Sequence, residues 1–191
     1  QDGLCFTGNA SRETEGGGLS AGVGIYHKLE RQSAPPPDCV EFKLELEKSR
    51  AVFRIVQGIL PQGFLVVSVY LYTGEDLAGR NWRFLSAVGE RIFALGLPFV
   101  LGGDLQNHPD KLRATLWAQF LDAVVVNPGK PTCFTGANPS GSEIDYFVDS
   151  NVFTSSVFCM RIMVLSRPTG QGNSPPPPRP LNHLRAATLA T

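Results

Sequence analysis

Two short segments of the chain each place one carboxylate on an apolar strand pattern. The first, residues 98–104, ends in Gly-Gly-Asp, so that Asp104 stands beside the amide side chain of Gln106. The second, residues 142–148, places Asp145 inside an otherwise apolar alternation, where a charge needs a partner. A carboxylate at a strand end beside amide groups can hold a hard cation or activate water. On spacing alone, a Gly-Gly-Asp turn and a local cap at Asp145 explain the same residues.

The elements that must position these carboxylates are predicted to alternate between strands and helices. The glycines at 102 and 103 predict a sharp turn that leaves Asp104 exposed at the end of its strand. Helical spacing of apolar residues predicts helices over 77–95, with Gly96 as C-cap, and over 109–121. Residues 1–20 are polar and Gly-rich and predict a loop. Strands are predicted at 21–26, 40–46, 51–59, 64–72, 99–101, 124–126, 141–148 and 156–165.

Composition limits the classes to which the chain can belong. With 191 residues, 42% of them apolar, and 17 basic against 17 acidic residues, it is typical of one soluble globular domain. Zero net charge gives no global attraction to phosphate polymers. The apolar runs are strand-sized, which predicts no membrane span. Four scattered cysteines without a C-x-x-C pair predict buried free thiols and disfavour zinc.

The domain organisation follows from these patterns. We expect a polar loop or remnant at 1–20, one domain at 21–166 and a Pro-rich linker and tail at 167–191. Strands before and after helices predict a layered α/β or α+β domain. Glycines 16–18 precede a strand instead of joining a strand to a helix, so they fail the contexts of phosphate-binding loops. The sequence does not fix the compartment, although an intracellular protein is favoured over a secreted one.

The order and spacing of four motifs resemble the endonuclease/exonuclease/phosphatase superfamily over about residues 22–165. The segment 68–70, Ser-Val-Tyr, stands where that family has Asn-x-Tyr, and 103–106, Gly-Asp-Leu-Gln, resembles its Gly-Asp-x-Asn. The segment 131–134 resembles the family's threonine-containing strand, and 142–148 its Ile-Asp-Tyr strand. The resemblance implies a two-sheet α/β sandwich of DNase I-like type with its first strand or strands missing. The endonuclease domain of a non-LTR retrotransposon is one member of the family that fits.

The resemblance also implies a chemistry, namely Mg²⁺- or Mn²⁺-dependent hydrolysis of phosphodiesters. Asp104 would bind the metal and orient or deprotonate the attacking water, and Gln106 would support that carboxylate and the phosphate. Tyr70 would hydrogen-bond a phosphoryl oxygen. Asp145 would orient a histidine that donates to the phosphate, for which His183 is the candidate. The implied partner is nucleic acid, DNA in preference to RNA.

Several departures from the family pattern keep a second function open. Ser68 and Gln106 replace asparagines, Asn182 stands where the aspartate before the last histidine would be, and no early metal-binding glutamate is evident. The chain also begins without Met, which favours a fragment or a divergent copy. A degenerate, non-catalytic copy acting as a structural or binding module is therefore the alternative, and a protein-binding module on the same sandwich is a third. His108 is expected to be a solvent-facing residue at the start of a helix, and His27 a strand residue.

Overall fold

A six-stranded mixed sheet is the central element of the computed structural model, which describes residues 3–13, 19–20, 22–28, 31–37, 49–58, 60–153 and 186–188. Two short helical segments and one long helix accompany it, and smaller sheets complete the described part. In chain order the strands are β1 Leu4–Asn9, β2 Arg12–Glu13, β3 Leu19–Ser20, β4 Val23–Lys28, β5 Ser33–Ala34, β6 Ala51–Val56, β7 Phe64–Tyr70, β8 Phe99–Asp104, β9 Ala123–Val126, β10 Cys133–Thr135, β11 Asn138–Ser142, β12 Asp145–Ser150 and β13 Ala186–Thr188. The helices are α1 Gly79–Leu95, α2 Pro109–Ala114 and α3 Trp117–Phe120, and a 3-10 turn covers Asn151–Phe153.

The central sheet has the order β5-β6-β7-β8-β12-β9. Strands β7 and β8 are parallel, joined by α1, and the other neighbouring pairs are antiparallel. The C-terminal ends of β7 and β8 therefore lie at the same edge of the sheet as the first residue of β12. This edge is where the sequence places its two carboxylates.

Each face of the central sheet is covered by a different layer. Because side chains alternate along a strand, Leu65 and Val67 of β7 pack with the helices, whereas Phe64 and Val66 face the opposite side. On that side β7 contacts Val23 and Ile25 of β4, which pairs with β1 and β13 in a second sheet. The architecture is thus two packed sheets with helices outside one of them, as the predicted sandwich requires.

Helix α1 confirms the sequence prediction closely. Its buried residues Phe84, Leu85, Val88 and Ile92 recur at helical spacing, and it ends at Gly96, which has φ 59°. A left-handed residue at this position lets the Gly96 N–H bond the last helical carbonyls, which a glycine does without side-chain strain. The helix begins at Gly79, two residues later than predicted.

The predicted helix over 109–121 is wrong as one continuous element. The chain forms α2 and α3, separated by Leu116 with φ 61°. Thr115 explains the break, because its hydroxyl donates to the Leu112 carbonyl and accepts from the Trp117 N–H. Trp117 is then held by α1, where its indole N–H donates to the Leu85 carbonyl at 3.0 Å. Phe120, in the second half of the predicted helix, is exposed.

The predicted loop over residues 1–20 is corrected by β1, which pairs antiparallel with β4 in full register. Phe6 lies across two glycines, and a Cβ built on Gly8 or Gly24 would stand 2.5 or 2.3 Å from its ring. The aromatic ring thus covers strand backbone that glycines leave bare. The predicted tail contributes β13, which pairs parallel with β4.

Some predictions fall outside the described residues. These are the strands at 40–46 and 156–165, the proline-rich linker, and Cys39 and Cys159. The other two cysteines, Cys5 and Cys133, are free thiols, but they are half-buried instead of fully buried. In the described ranges, no helix is long and apolar enough to cross a membrane. The divisions at 20/21 and 166/167 stay predictions.

Candidate functional site

Three side chains expected to do chemistry lie in one row across the central sheet. Tyr70 is the register partner of Asp104 in the parallel pair β7–β8, and Asp104 is the partner of Asp145 in the antiparallel pair β8–β12. Partners in register point to the same face of a sheet. Their face is the one that carries Val66 and Val100, which is covered by the second sheet. The fold therefore brings these three residues together at the strand ends.

Asp104 and Asp145 form a non-hydrogen-bonded antiparallel pair, the kind in which the two Cα atoms lie closer together. The Leu105 N–H donates to the Ile144 carbonyl at 2.8 Å, outside the pair formed by Asp104 and Asp145. This pattern makes Asp104 and Asp145 a non-hydrogen-bonded pair, with Cα atoms about 4.5 Å apart. Two carboxylates at this separation on one face can share a cation or a proton.

The Gly-Gly segment does not form the predicted turn. Strand β8 continues through both glycines to Asp104, which is only 3% exposed, so the expectation of an exposed Asp104 is wrong. The glycines are needed for close approach instead. A Cβ on Gly102 would stand 2.5 Å from the Phe147 ring, and one on Gly103 would stand 1.9 Å from the Val69 carbonyl oxygen.

Gln106 supports Asp104 through its backbone. It has φ 55°, and its N–H donates to Asp104 Oδ1 at 3.2 Å. Its side chain lines the space in front of Asp104. The neighbouring Asn107 is directed elsewhere, because its amide donates to the Glu75 carbonyl at 3.3 Å, and the residue is only 5% exposed. The observed support of Asp104 thus comes from the Gln106 backbone, and the role of the side-chain amide stays a prediction.

Thr132 fixes the backbone that carries Asp145. Its hydroxyl oxygen accepts the N–H groups of Ile144 at 3.1 Å and of Asp145 at 3.0 Å. Its own N–H donates to the Ser142 carbonyl at 3.0 Å, and the residue is buried. The predicted strand over 141–148 is interrupted at this place, between β11 and β12, and Thr132 satisfies the amides that the interruption leaves without ladder partners.

Glu143 connects three loops around the site. Its Oε1 accepts from Asn127 Nδ2 and from the Gly129 N–H, both at 2.9 Å, and the side chain is 11% exposed. Its Oε2 lies 3.8 Å from His108 Nε2. His108 is confirmed as a residue at the start of a helix, because its Nδ1 accepts from the Asp110 N–H at the beginning of α2.

A buried arginine extends the row on the other side of Tyr70. Arg50 is 3% exposed, and its Nη1 donates to the Tyr70 and Leu71 carbonyls at 3.1 Å each. Its guanidinium lies 3.7 Å from the centre of the Tyr72 ring, and that of Arg80 lies 3.5 Å from it. These contacts fix the end of β7, from which Tyr70 projects.

Two adjoining cavities open at this edge of the sheet. One, of about 330 Å³, is lined by Tyr70, Asp104, Gln106 and part of the β10–β11 hairpin, including Cys133. The other, of about 500 Å³, is lined by His108, Lys111, Lys130 and neighbouring loops. The two share Gln106, Ser142 and Ile144 as a common wall. The first is thus lined by three of the expected catalytic residues, and Asp145 is not part of its lining.

Not every sequence-predicted residue joins the site. Tyr146 points to the helix face, where burial raises the pKa of its phenol, so it is a core residue. His27 lies on β4 in the second sheet, and its Nε2 is 2.7 Å from Ser33 Oγ. Ser68, two residues before Tyr70 on the same face of β7, is buried. His183 lies outside the described residues, and its role stays a prediction.

The oxygen ligands at the row fit a Mg²⁺ ion better than a softer metal. Asp104 and Asp145 supply carboxylate oxygens on one face, and Mg²⁺ is commonly held by one or two carboxylates with water and substrate phosphate. Among the residues that the structure describes, no three His, Cys, Asp or Glu side chains group so as to hold a metal ion by themselves. The remaining ligands would therefore be water, substrate or the undescribed residues.

Three residues of the site, Thr132, Glu143 and Arg50, were not predicted from the sequence. The sequence could have indicated Glu143, because it is two residues before Asp145 in a predicted strand and would lie on the same face, where both acidic residues need partners. It could have indicated Arg50 as well, because Arg50 immediately precedes a predicted buried strand. Thr132 had been noted only as part of a motif. Their contacts join segments far apart in the chain, which strand patterns do not reveal.

Comparison with known proteins gives matches to solved structures. No protein-family model and no curated protein matches the chain. The chain is similar to the endonuclease domain of TRAS1, a telomere-specific non-LTR retrotransposon, with 16% identity and a TM-score of 0.53, covering 78% of this chain and 66% of that one. It is similar to the human Nocturnin catalytic domain with bound sulfate, with 11% identity and a TM-score of 0.51, covering 78% and 61%.

A third match is an endonuclease/exonuclease/phosphatase family protein from Bacteroides thetaiotaomicron, with 13% identity and a TM-score of 0.48, covering 78% and 61%. The chain thus spans about two thirds or less of the length of each of these structures. The two matches with TM-scores above 0.5 show a shared fold, and at identities this low the activity has to be argued from the site. The resemblance noted in the sequence is confirmed for the fold, which is DNase I-like.

Proposed function

We propose that the chain is a Mg²⁺-dependent phosphodiester hydrolase that cleaves nucleic acid as an endonuclease. The observation that carries this proposal is the row of Tyr70, Asp104 and Asp145, in register on one face and beside a cavity of about 330 Å³. A row of this kind supplies a base, a metal ligand and a hydrogen-bond donor to the phosphate within one small volume.

Each side chain of the row has a separate task. Asp104, held by the Gln106 N–H, is placed to orient or deprotonate the attacking water. The Tyr70 phenol, 3.4 Å from Thr73 Oγ1, can donate to a phosphoryl oxygen. Asp145 has its backbone fixed by Thr132, so its carboxylate can orient a cationic partner with little conformational freedom.

A metal ion would complete the charge balance of this site. Asp104 and Asp145 would hold it, and when bound it would polarise a phosphoryl oxygen and ease deprotonation of water. Without a cation, two adjacent carboxylates would repel an anionic phosphodiester. Mn²⁺ prefers the same oxygen ligands and would support activity as well.

The similarity to the TRAS1 endonuclease domain supports nucleic acid as the substrate and a retroelement origin. We propose DNA in preference to RNA on the same ground. The similarity to the Nocturnin catalytic domain, whose structure holds a sulfate anion, supports a site for a tetrahedral anion in this fold.

Cleavage of a supercoiled plasmid tests the proposal. Purified protein is incubated with Mg²⁺, with Mn²⁺ or with EDTA, and nicked and linear forms are separated on a gel. We expect cleavage with either metal, none with EDTA, and a loss of about 100-fold or more for Asp104→Ala. The exposed Asp122, on the chain between α3 and β9, gives the control variant Asp122→Ala. Equal rates for wild type and Asp104→Ala would mean that the chain is not a hydrolase at this site.

A further inference from the structure

The larger of the two cavities borders the proposed cleavage site directly. Its volume is about 500 Å³, and it shares the wall formed by Gln106, Ser142 and Ile144 with the cavity that contains Asp104. A ligand in the smaller cavity that extends past this wall must enter the larger one. The residues lining it are therefore placed to contact a part of the substrate that extends past the shared wall.

Two cationic side chains and one imidazole line this cavity. Lys130 is exposed and makes no ion pair or hydrogen bond with any of the residues described. Lys111 is 3.1 Å from the Asp76 carboxylate, and the Leu77 N–H together with this lysine lowers the pKa of Asp76. His108 presents its ring at the cavity wall with its side chain 54% exposed. Lys130 is the cation with the most freedom to meet an anion.

The acidic groups near this cavity are already engaged. Glu143 uses Oε1 to accept two N–H groups and turns Oε2 towards His108 Nε2. Asp110 is 2.7 Å from Arg113 Nη1 and 3.4 Å from His108 Nδ1. The His108 ring thus has a carboxylate near each of its two nitrogens. In the described part of the chain these groups do not form a metal-binding cluster. The carboxylates beside this cavity are thus engaged by N–H groups and by Arg113, whereas Lys130 is not paired with any described residue.

We propose that this cavity is a second phosphate subsite, which takes the phosphate adjacent to the scissile one on an extended strand. Lys130 and His108 would contact that phosphate, and Glu143 is the positioning residue that holds the 127–129 loop and faces the His108 ring. The inference rests on the proposed function, because the first phosphate defines where the second one lies. It assigns the substrate class, a polymer with at least two consecutive phosphates.

A matched pair of substrates separates this subsite from the chemistry. A 20-nucleotide duplex has flanking phosphates, whereas bis(p-nitrophenyl) phosphate has a single phosphodiester and cannot fill the subsite. The variants are Lys130→Ala and His108→Gln, each compared with Lys28→Ala. Lys28 is an exposed lysine and the last residue of β4. Its neighbour His27 contacts Ser33 of β5, which lies at the opposite end of the central sheet from Asp104, so Lys28 is remote from the site.

We expect Lys130→Ala and His108→Gln to lower kcat/KM for the duplex at least several-fold and to leave the small ester unchanged. In Ca²⁺, duplex binding measured by fluorescence anisotropy should lose about one unit in the slope of log K against log salt for Lys130→Ala. Lys28→Ala should match wild type in both assays. Circular dichroism and Tm confirm that each variant is folded.

The outcomes that overturn the subsite differ from those that overturn the proposed function. Equal losses on both substrates would show that these residues serve the chemistry or the fold, and no loss on either would show that the cavity takes no phosphate. If wild type cleaves neither substrate, the proposed function fails and anisotropy decides alone. An unchanged salt slope for Lys130→Ala then refutes the subsite, and a reduced slope with normal Lys28→Ala binding supports it.

Discussion

The carboxyl of Asp149 should make the fold less stable as pH rises. It lies two residues after Phe147 on β12 and is paired with Val100 of β8 and Val124 of β9. It is 5% exposed. Its Oδ1 has no hydrogen-bond partner in the part of the chain that the structure describes. Burial raises the pKa of this carboxyl to about 7. The group is therefore neutral in the folded protein under acidic conditions.

The sign and size of the effect follow from linkage. In the unfolded chain the carboxyl has the ordinary aspartate pKa of 3.8, so between about pH 4 and pH 7 the folded state holds a proton that the unfolded state has released. Stability then falls as pH rises through this window and levels off above it. A shift of about three pH units, at about 1.4 kcal/mol per unit, gives a loss of about 4 kcal/mol.

The assay is urea unfolding of wild type and Asp149→Asn at intervals from pH 4 to pH 8.5. The amide has nearly the same shape and does not ionise, so its free energy of unfolding should exceed that of wild type by about 4 kcal/mol at pH 8 and by little at pH 4. Glu90→Gln, which removes an exposed carboxylate on α1, should track wild type throughout. A difference between Asp149→Asn and wild type that does not grow with pH would refute the reasoning.

Three further perturbations test how the site is held in place. Thr132→Val leaves two backbone amides without their acceptor and should cost about 2 kcal/mol in urea unfolding, whereas Thr132→Ser should restore most of it; equal losses for both would contradict the hydroxyl's role. Gly103→Ala places a Cβ against the Val69 carbonyl and should lower the free energy of unfolding by about 4 kcal/mol or prevent folding. Gly129→Ala has open space around its Cβ and should lower it by only about 1 kcal/mol, because of its positive φ. Similar Tm values for the two variants would contradict the close approach of Gly103 to Val69. Asn81, fully buried, bonds both the N–H and the carbonyl of Tyr72, so Asn81→Ala should cost about 3 kcal/mol, and a loss below about 1 kcal/mol would show that water replaces it.

The sequence was sufficient where local pattern and tertiary packing agree. The apolar run of β7 and the helical spacing of α1, ended by Gly96, need no distant information, and both elements form within about two residues of the prediction. The row of Tyr70, Asp104 and Asp145 was also predictable, because motif order fixed which strands carry those residues.

The sequence was insufficient where a distant contact decides the local structure. Periodicity alone continues a helix through Leu116, whereas the Thr115 hydroxyl and the anchoring of Trp117 on α1 divide it. Strand β1 lacks an apolar alternation strong enough to be recognised, because glycines and one aromatic ring do the packing. The glycines before Asp104 predict a turn equally well, and only the approach of β7 and of Phe147 shows that the strand continues.

The central claim is that Asp104 and Asp145 act as one unit in phosphodiester cleavage. A double-mutant cycle on single-turnover cleavage of a duplex in Mg²⁺ tests it, with Asp104→Asn, Asp145→Asn and the double variant. We predict a loss of about 100-fold or more for each single variant and a double variant no slower than the slower single one, because removing either carboxylate already disables the shared site. Losses that multiply in the double variant, or an Asp145→Asn variant as fast as wild type, would contradict the claim.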